Sequence, residues 1–164
     1  MEDKDNKKNL ETLKQEYKKI QKKYELPEFD SLNEEFYIEK VAEIETDFLL
    51  REIRKMVSDK LVNYLKFFEM FVNPATAPVF VHSIIKTLDN ESKQTIQNIY
   101  KKLSKREVEL IELDLNYKEE KEAEFIKSVV EDWKEIKKDL TKVIEFINKG
   151  WDEKIKGNSK NYFG

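Results

Sequence analysis

Apolar residues recur along most of this chain at intervals of three and four, the period of helices that turn one side to a core. Leu10, Leu13, Tyr17, Ile20 and Tyr24 form a narrow 3-4-3-4 seam among Lys and Glu. The seam predicts an N-terminal helix over about 4–24, ended by Leu26-Pro27. Ser31-Leu32-Asn33-Glu34 has the form of a capping box, in which hydroxyl and carboxylate satisfy free backbone N–H groups. With no breaker before Pro74, it predicts a long helix over about 32–72, roughly 60 Å at about 1.5 Å per residue. Phe36, Val41, Ile44, Phe48, Leu49, Ile53, Met56 and Val57 give its first half one apolar side. Its last turns, LVNYLKFFEMFV, are apolar nearly all round, as expected of a helix end surrounded by protein.

A turn is expected at Asn73–Pro78, then short helices over about 79–88 and 91–103. A second capping box, Ser104-Lys105-Arg106-Glu107, predicts a last long helix over about 105–149. Its stripe reads Val108, Ile111, Leu115, Ile126, Val129, Trp133, Ile136, Leu140, Val143 and Ile147. The run KEEKEAE (118–124) has only Ala123 besides charges, so solvent is expected there, with a bend or division near Asn116. Gly150 is expected to stop the helix and leave 150–164 as a flexible tail. The fold expectation is all-α: an elongated antiparallel helical bundle in a single domain, 1–149. Two long helices (about 32–72 and 105–149) form its body, joined by an N-terminal helix, with two short helices capping one end.

Composition removes whole classes of chemistry. The absence of Cys excludes disulfides, thiolate metal sites and cysteine nucleophiles, and the single His, His82, excludes multi-histidine metal centres. All three Gly stand at or after Gly150, which excludes the Gly-rich phosphate loops. A net charge of -3 gives no overall pull toward phosphates, and nucleic acid is not an expected partner. The uncharged stretch Met70–Ile85 carries Pro74 and Pro78 and is too short to span a bilayer. No apolar leader is visible at the N-terminus, and the expected location is cytoplasmic, with no membrane partner.

Four groups of residues stand out. Glu43, Asp47, Arg51 and Arg54 share one face of the expected long helix, and Arg51 and Arg54 are two of only three Arg in the chain. Guanidinium groups grip carboxylate or phosphate with two prongs, so the cluster reads as an anion site or, more plainly, an ion-pair ladder. Phe67, Phe68, Phe71, Val79 and Phe80 concentrate aromatic surface near the Pro74 turn, as core or as a partner-binding surface. Glu109/Glu112 and Glu119/Glu122 have the E-x-x-E spacing of carboxylates holding a hard cation, which acidic solvated helices also produce by chance. Lys18, Lys19, Lys22 and Lys23 beside Tyr17 and Tyr24 form one basic–aromatic patch. His82 has no evident group to orient it, and Tyr162 and Phe163 end the chain in a segment expected to be loose.

The resulting expectation is a non-enzymatic interaction or scaffold protein that binds itself, as a homodimer, or a protein partner through an apolar surface. No cofactor and no metal are expected. The alternatives are a magnesium-dependent all-α nucleotide hydrolase using helix carboxylates, and an RNA- or ribosome-associated helical module.

Overall fold

The structure is a computed structural model that describes the backbone of residues 2–158 and the side chains of residues 9–149. It is all-α, with no strand among the described residues. The helices are α1 (Glu2–Tyr24), α2 (Phe29–Phe36), α3 (Leu49–Val72), α4 (Val79–Ile85), α5 (Asn90–Leu115) and α6 (Glu119–Asn158). Short 3-10 turns occupy Ile38–Glu43 and Pro74–Thr76. Among the described residues, no helix is long and apolar enough to cross a membrane.

The expected helix over 32–72 is in fact two helices, and the break needs neither Gly nor Pro. Tyr37 adopts the left-handed conformation (φ 55, ψ 40), with its N–H donating to the Asn33 carbonyl. The Asn33 side chain then accepts the Glu39 N–H at 2.9 Å and donates to the Glu39 carboxylate at 2.8 Å. Thr46 Oγ1 accepts the Phe48 N–H at 3.0 Å just before α3. Such side-chain bonds offer the backbone an alternative to helix. The detour buries Phe36, Ile38 and Val41, which a straight helix would spread around its axis. Ser31 does not cap; α2 begins at Phe29, with Glu28 as its N-cap residue.

The second long helix also differs from expectation. Residues 91–103 and 105–115 are one helix, α5, with Ser104 in its middle, because Ile96, Ile99, Leu103, Leu110 and Leu113 continue a single buried row. The chain divides at Asn116, Tyr117 and Lys118. Gly150 does not end α6; glycine within a helix costs only about 1 kcal/mol, and the following WDEKIK contains no breaker. The stretch expected to be a tail is therefore helical through Asn158, while Tyr162 and Phe163 lie outside the described residues.

The chain forms two compact units. The first comprises Met1–Val62 and Arg106–Asp132. Its core includes Leu13, Tyr17, Leu32, Ile38, Ile53 and Ile126. Tyr17 packs edge-on against Phe29 and donates its hydroxyl to the Pro27 carbonyl at 2.6 Å, tying α1 to the start of α2. The three-residue link makes α5 and α6 an antiparallel hairpin, and Arg106 on α5 holds Asp132 on α6 at 2.6 Å. The second unit comprises Asn63–Lys105 and Trp133–Gly164, with Phe68, Val81, Ile99, Leu103, Trp133 and Ile136 among its buried residues.

Helix α1 ends with Glu25 at φ 56 and the Leu26 N–H donating to the Gln21 carbonyl, a Schellman arrangement in which glycine is the usual occupant. A side chain there costs roughly 1–2 kcal/mol, partly offset by the greater freedom glycine has when unfolded. Glu25→Gly should therefore raise the unfolding free energy by up to about 1 kcal/mol, and Glu25→Val should lower it, both read by urea titration.

Candidate functional site

The four residues expected to share a helix face are dispersed. Glu43 closes the 3-10 turn and Asp47 lies in the irregular link, both exposed, while Arg51 and Arg54 stand on the first turns of α3. Glu43 lines a cleft between α1 and residues 41–49 with Glu16 and Glu45, remote from the role expected of it. The broken backbone separates the acids from the arginines.

Arg54 instead finds its carboxylates on other helices. It is only 3% exposed; Nε donates to Glu122 Oε2 at 2.8 Å and Nη2 to Asp114 Oδ1 at 2.6 Å. Glu122 is fully buried at 0% exposure, although it belongs to the run expected to be solvated. Its other oxygen, Oε1, is buried without a hydrogen-bond partner. Burial by itself would push the Arg54 pKa down. The hydrogen bond and charge of Glu122, with those of Asp114, outweigh this and carry it above the ordinary arginine value. The pair is a structural clamp joining α3 to the α5–α6 hairpin.

Arg51 is held differently. Its guanidinium lies 4.9 Å from the centre of the Tyr117 ring and 6.0 Å from that of Phe48, and the two rings meet edge-on. The half-buried Arg51 is thus a cation packed on aromatics rather than a rung of a ladder.

Of the aromatic group near Pro74, Phe68 is fully buried, Phe71 is buried and Phe67 is half-buried, with Phe67 touching both other rings. Phe68 and Phe71 are core of the second unit, and half-buried Phe67 packs its ring on both. Val79 and Phe80 on α4 do remain outside, at 83% and 45% exposure.

A more extensive apolar surface lies where the sequence pointed inward. Val108, Ile111 and Leu115, expected in the buried stripe, are 67%, 58% and 76% exposed. The inner face of this part of α5 is made by Leu110 and Leu113, with half-buried Arg106 one turn before them. Steps of three and four place Val108, Ile111 and Leu115 in one row on the opposite side of the helix. The signal was present in EVELIELDL, which carries apolar residues at two helical phases, but periodicity alone does not rank the phases.

Three of the four carboxylates in the E-x-x-E pairs have structural partners. Glu109 is bonded by Arg106 at 2.5 Å, Glu122 by Arg54, and Glu119 by both Lys23 (3.0 Å) and the Tyr24 hydroxyl (2.5 Å). Among the described residues, no group of three or more His, Asp or Glu is arranged to hold a metal ion. Tyr17 is buried, and Tyr24 faces Glu119, so the lysines of α1 lack the stacking partners expected for a nucleic-acid patch. His82 is exposed on the short α4. A cleft of 340 Å³ between α5 and α6 is lined by Leu113 and Phe125 with Glu112, Lys118 and Ser128.

Together these features define an all-α protein with a buried ionic clamp and an apolar row on the outside of one helix. Compared with protein families, with curated proteins and with solved structures, the chain matches none.

Three outcomes follow from the ionic contacts. Glu122→Ala strands a buried guanidinium, with Asp114 still holding one edge, and should cost roughly 3 kcal/mol in urea unfolding. Replacing the pair, Arg54→Met with Glu122→Leu, should recover most of that loss. Hydrogen bonds from Tyr24, then Lys23, hold the Glu119 pKa below its ordinary 4.5. Its contribution to stability is therefore complete above the ordinary value and is lost as pH falls through the lower folded value. The stability gap between the native chain and Glu119→Gln should be constant near neutrality and close only in acid, as followed by urea titrations across pH.

Proposed function

We propose that this chain is a non-enzymatic helical interaction protein that receives a helix of a protein partner on the outer face of α5. The observation supporting this is the row Val108, Ile111 and Leu115, three large apolar side chains each more than half exposed. Isolated exposed hydrophobes are ordinary, but a row at helical spacing opposite the helix's own buried face is the pattern of groove and seam contacts between amphipathic helices. Hydrophobic anchors spaced i, i+3 and i+7 match the same spacing on an incoming helix. The surface of contact thus moves from the Phe67–Phe80 region to α5, while the class of function expected from the sequence is retained.

The test uses a fluorescently labelled amphipathic peptide with a leucine seam, read by anisotropy. The native chain should bind it, and Ile111→Asp with Leu115→Asp should weaken binding by at least about tenfold while keeping native circular dichroism. Val79→Asp, at an exposed apolar site on α4, should leave binding unchanged. Equal binding by the α5 double variant, or loss with Val79→Asp alone, would overturn the assignment.

A further inference from the structure

The charges beside the apolar row identify the chemistry of its occupant, an inference that rests on the helix-docking reading above. From Glu107 to Asp114 the sequence EVELIELD holds four carboxylates and no basic residue. At about 100° per residue, Glu107 falls on one side of the row and Glu112 on the other. Both are exposed. The other two acids are occupied: Glu109 bonds Arg106 and Asp114 bonds Arg54. Glu107 and Glu112 have no ion pair among the described residues. The nearest cation before the row on its outer side, Lys105, already has an interaction of its own. The apolar row is therefore edged by two carboxylates held in no ion pair, of which Glu112 also lines the cleft with Lys118 and Lys121.

We infer that the partner is an amphipathic helix whose apolar stripe is flanked by Lys or Arg. In paired helices, the residues edging the seam set partner choice through charge. A basic edge meets Glu107 and Glu112 with opposite charge, and an acidic edge meets them with like charge. A second copy seated by its own α5 row with the rows in full overlap would bring glutamates against glutamates. The row is also short, two turns of helix, whereas a stable dimer usually buries about 800 Å² on each partner. The charge consideration favours a separate basic helix over self-pairing.

The experiment compares two peptides with the same leucine seam, one with Lys and one with Glu at the seam-flanking positions. The full chain should bind the Lys peptide about tenfold more tightly at low salt, a preference that narrows as salt screens the flanks. Glu107→Lys with Glu112→Lys should reverse the preference without loss of helix content, and Glu112→Gln alone should reduce it. Equal affinity for the two peptides, or preference for the Glu peptide, overturns the charge assignment while leaving helix docking intact. Binding of neither peptide overturns both. A dimer by sedimentation that Ile111→Asp dissolves would make the occupant a second copy and also overturn the inference.

Discussion

Arg54 and Glu122 bring a full positive and a full negative charge into an interior otherwise filled by Ile53, Val57, Ile126 and Val129. Each group alone would be expelled by the cost of leaving water, so each holds its place only while the other is present. Asp114 at the rim takes the remaining edge of the guanidinium, and the Ser58 hydroxyl donates to the Arg54 carbonyl at 2.7 Å. Helices α5 and α6 therefore both bond one side chain of α3. Such a pair contributes less to net stability than apolar packing would, yet an apolar contact tolerates sliding and a hydrogen-bonded charge pair does not. The pair specifies how α3 meets the start of α6 in the first unit. Arg51 extends that positioning by lying on Tyr117, in the link between α5 and α6.

The helices were legible because their signals are distributed. The seam Leu13–Tyr17 of α1, the row Ile96–Ile99–Leu103 of α5 and the row Ile126–Val129–Trp133–Ile136 of α6 each rest on many side chains, and all are buried. The boundaries were less legible because they depend on few atoms. Nothing in the Tyr37 side chain announces a left-handed backbone, and the Asn33–Glu39 bonds that accompany it cross six residues. The two capping-box patterns, at Ser31 and Ser104, fell inside helices because a cap motif acts only where the preceding chain has left helical geometry.

The ionic site was half legible. Arg51 and Arg54 stood out against a background of lysine, as flat donors do where geometry matters. Their partners were hidden because Asp114, Tyr117 and Glu122 lie far off in sequence and amid other acids. The run KEEKEAE looked solvated by composition, yet Glu122 and Ala123 lie on the inward side of α6. A carboxylate is read as surface by default, and only tertiary structure reveals the cation that allows it inside.

The last turns of α5, residues 106–115, have two apolar faces, and this bears on how the chain reaches its native arrangement. Hydrophobic attraction alone would let the helix lie on α6 by either Leu110 and Leu113 or Val108, Ile111 and Leu115, two dockings related by a roll about the helix axis. Arg106 stands in line with the inner row and bonds Asp132, while Asp114 bonds Arg54. The wrong roll would carry Arg106 away from its acid and set free the charges that the correct roll neutralises. These polar contacts thus break a near-degeneracy in the folding landscape that greasy residues on both sides would otherwise leave open. The helix can keep an oily outer surface because the choice of face has been made by charge.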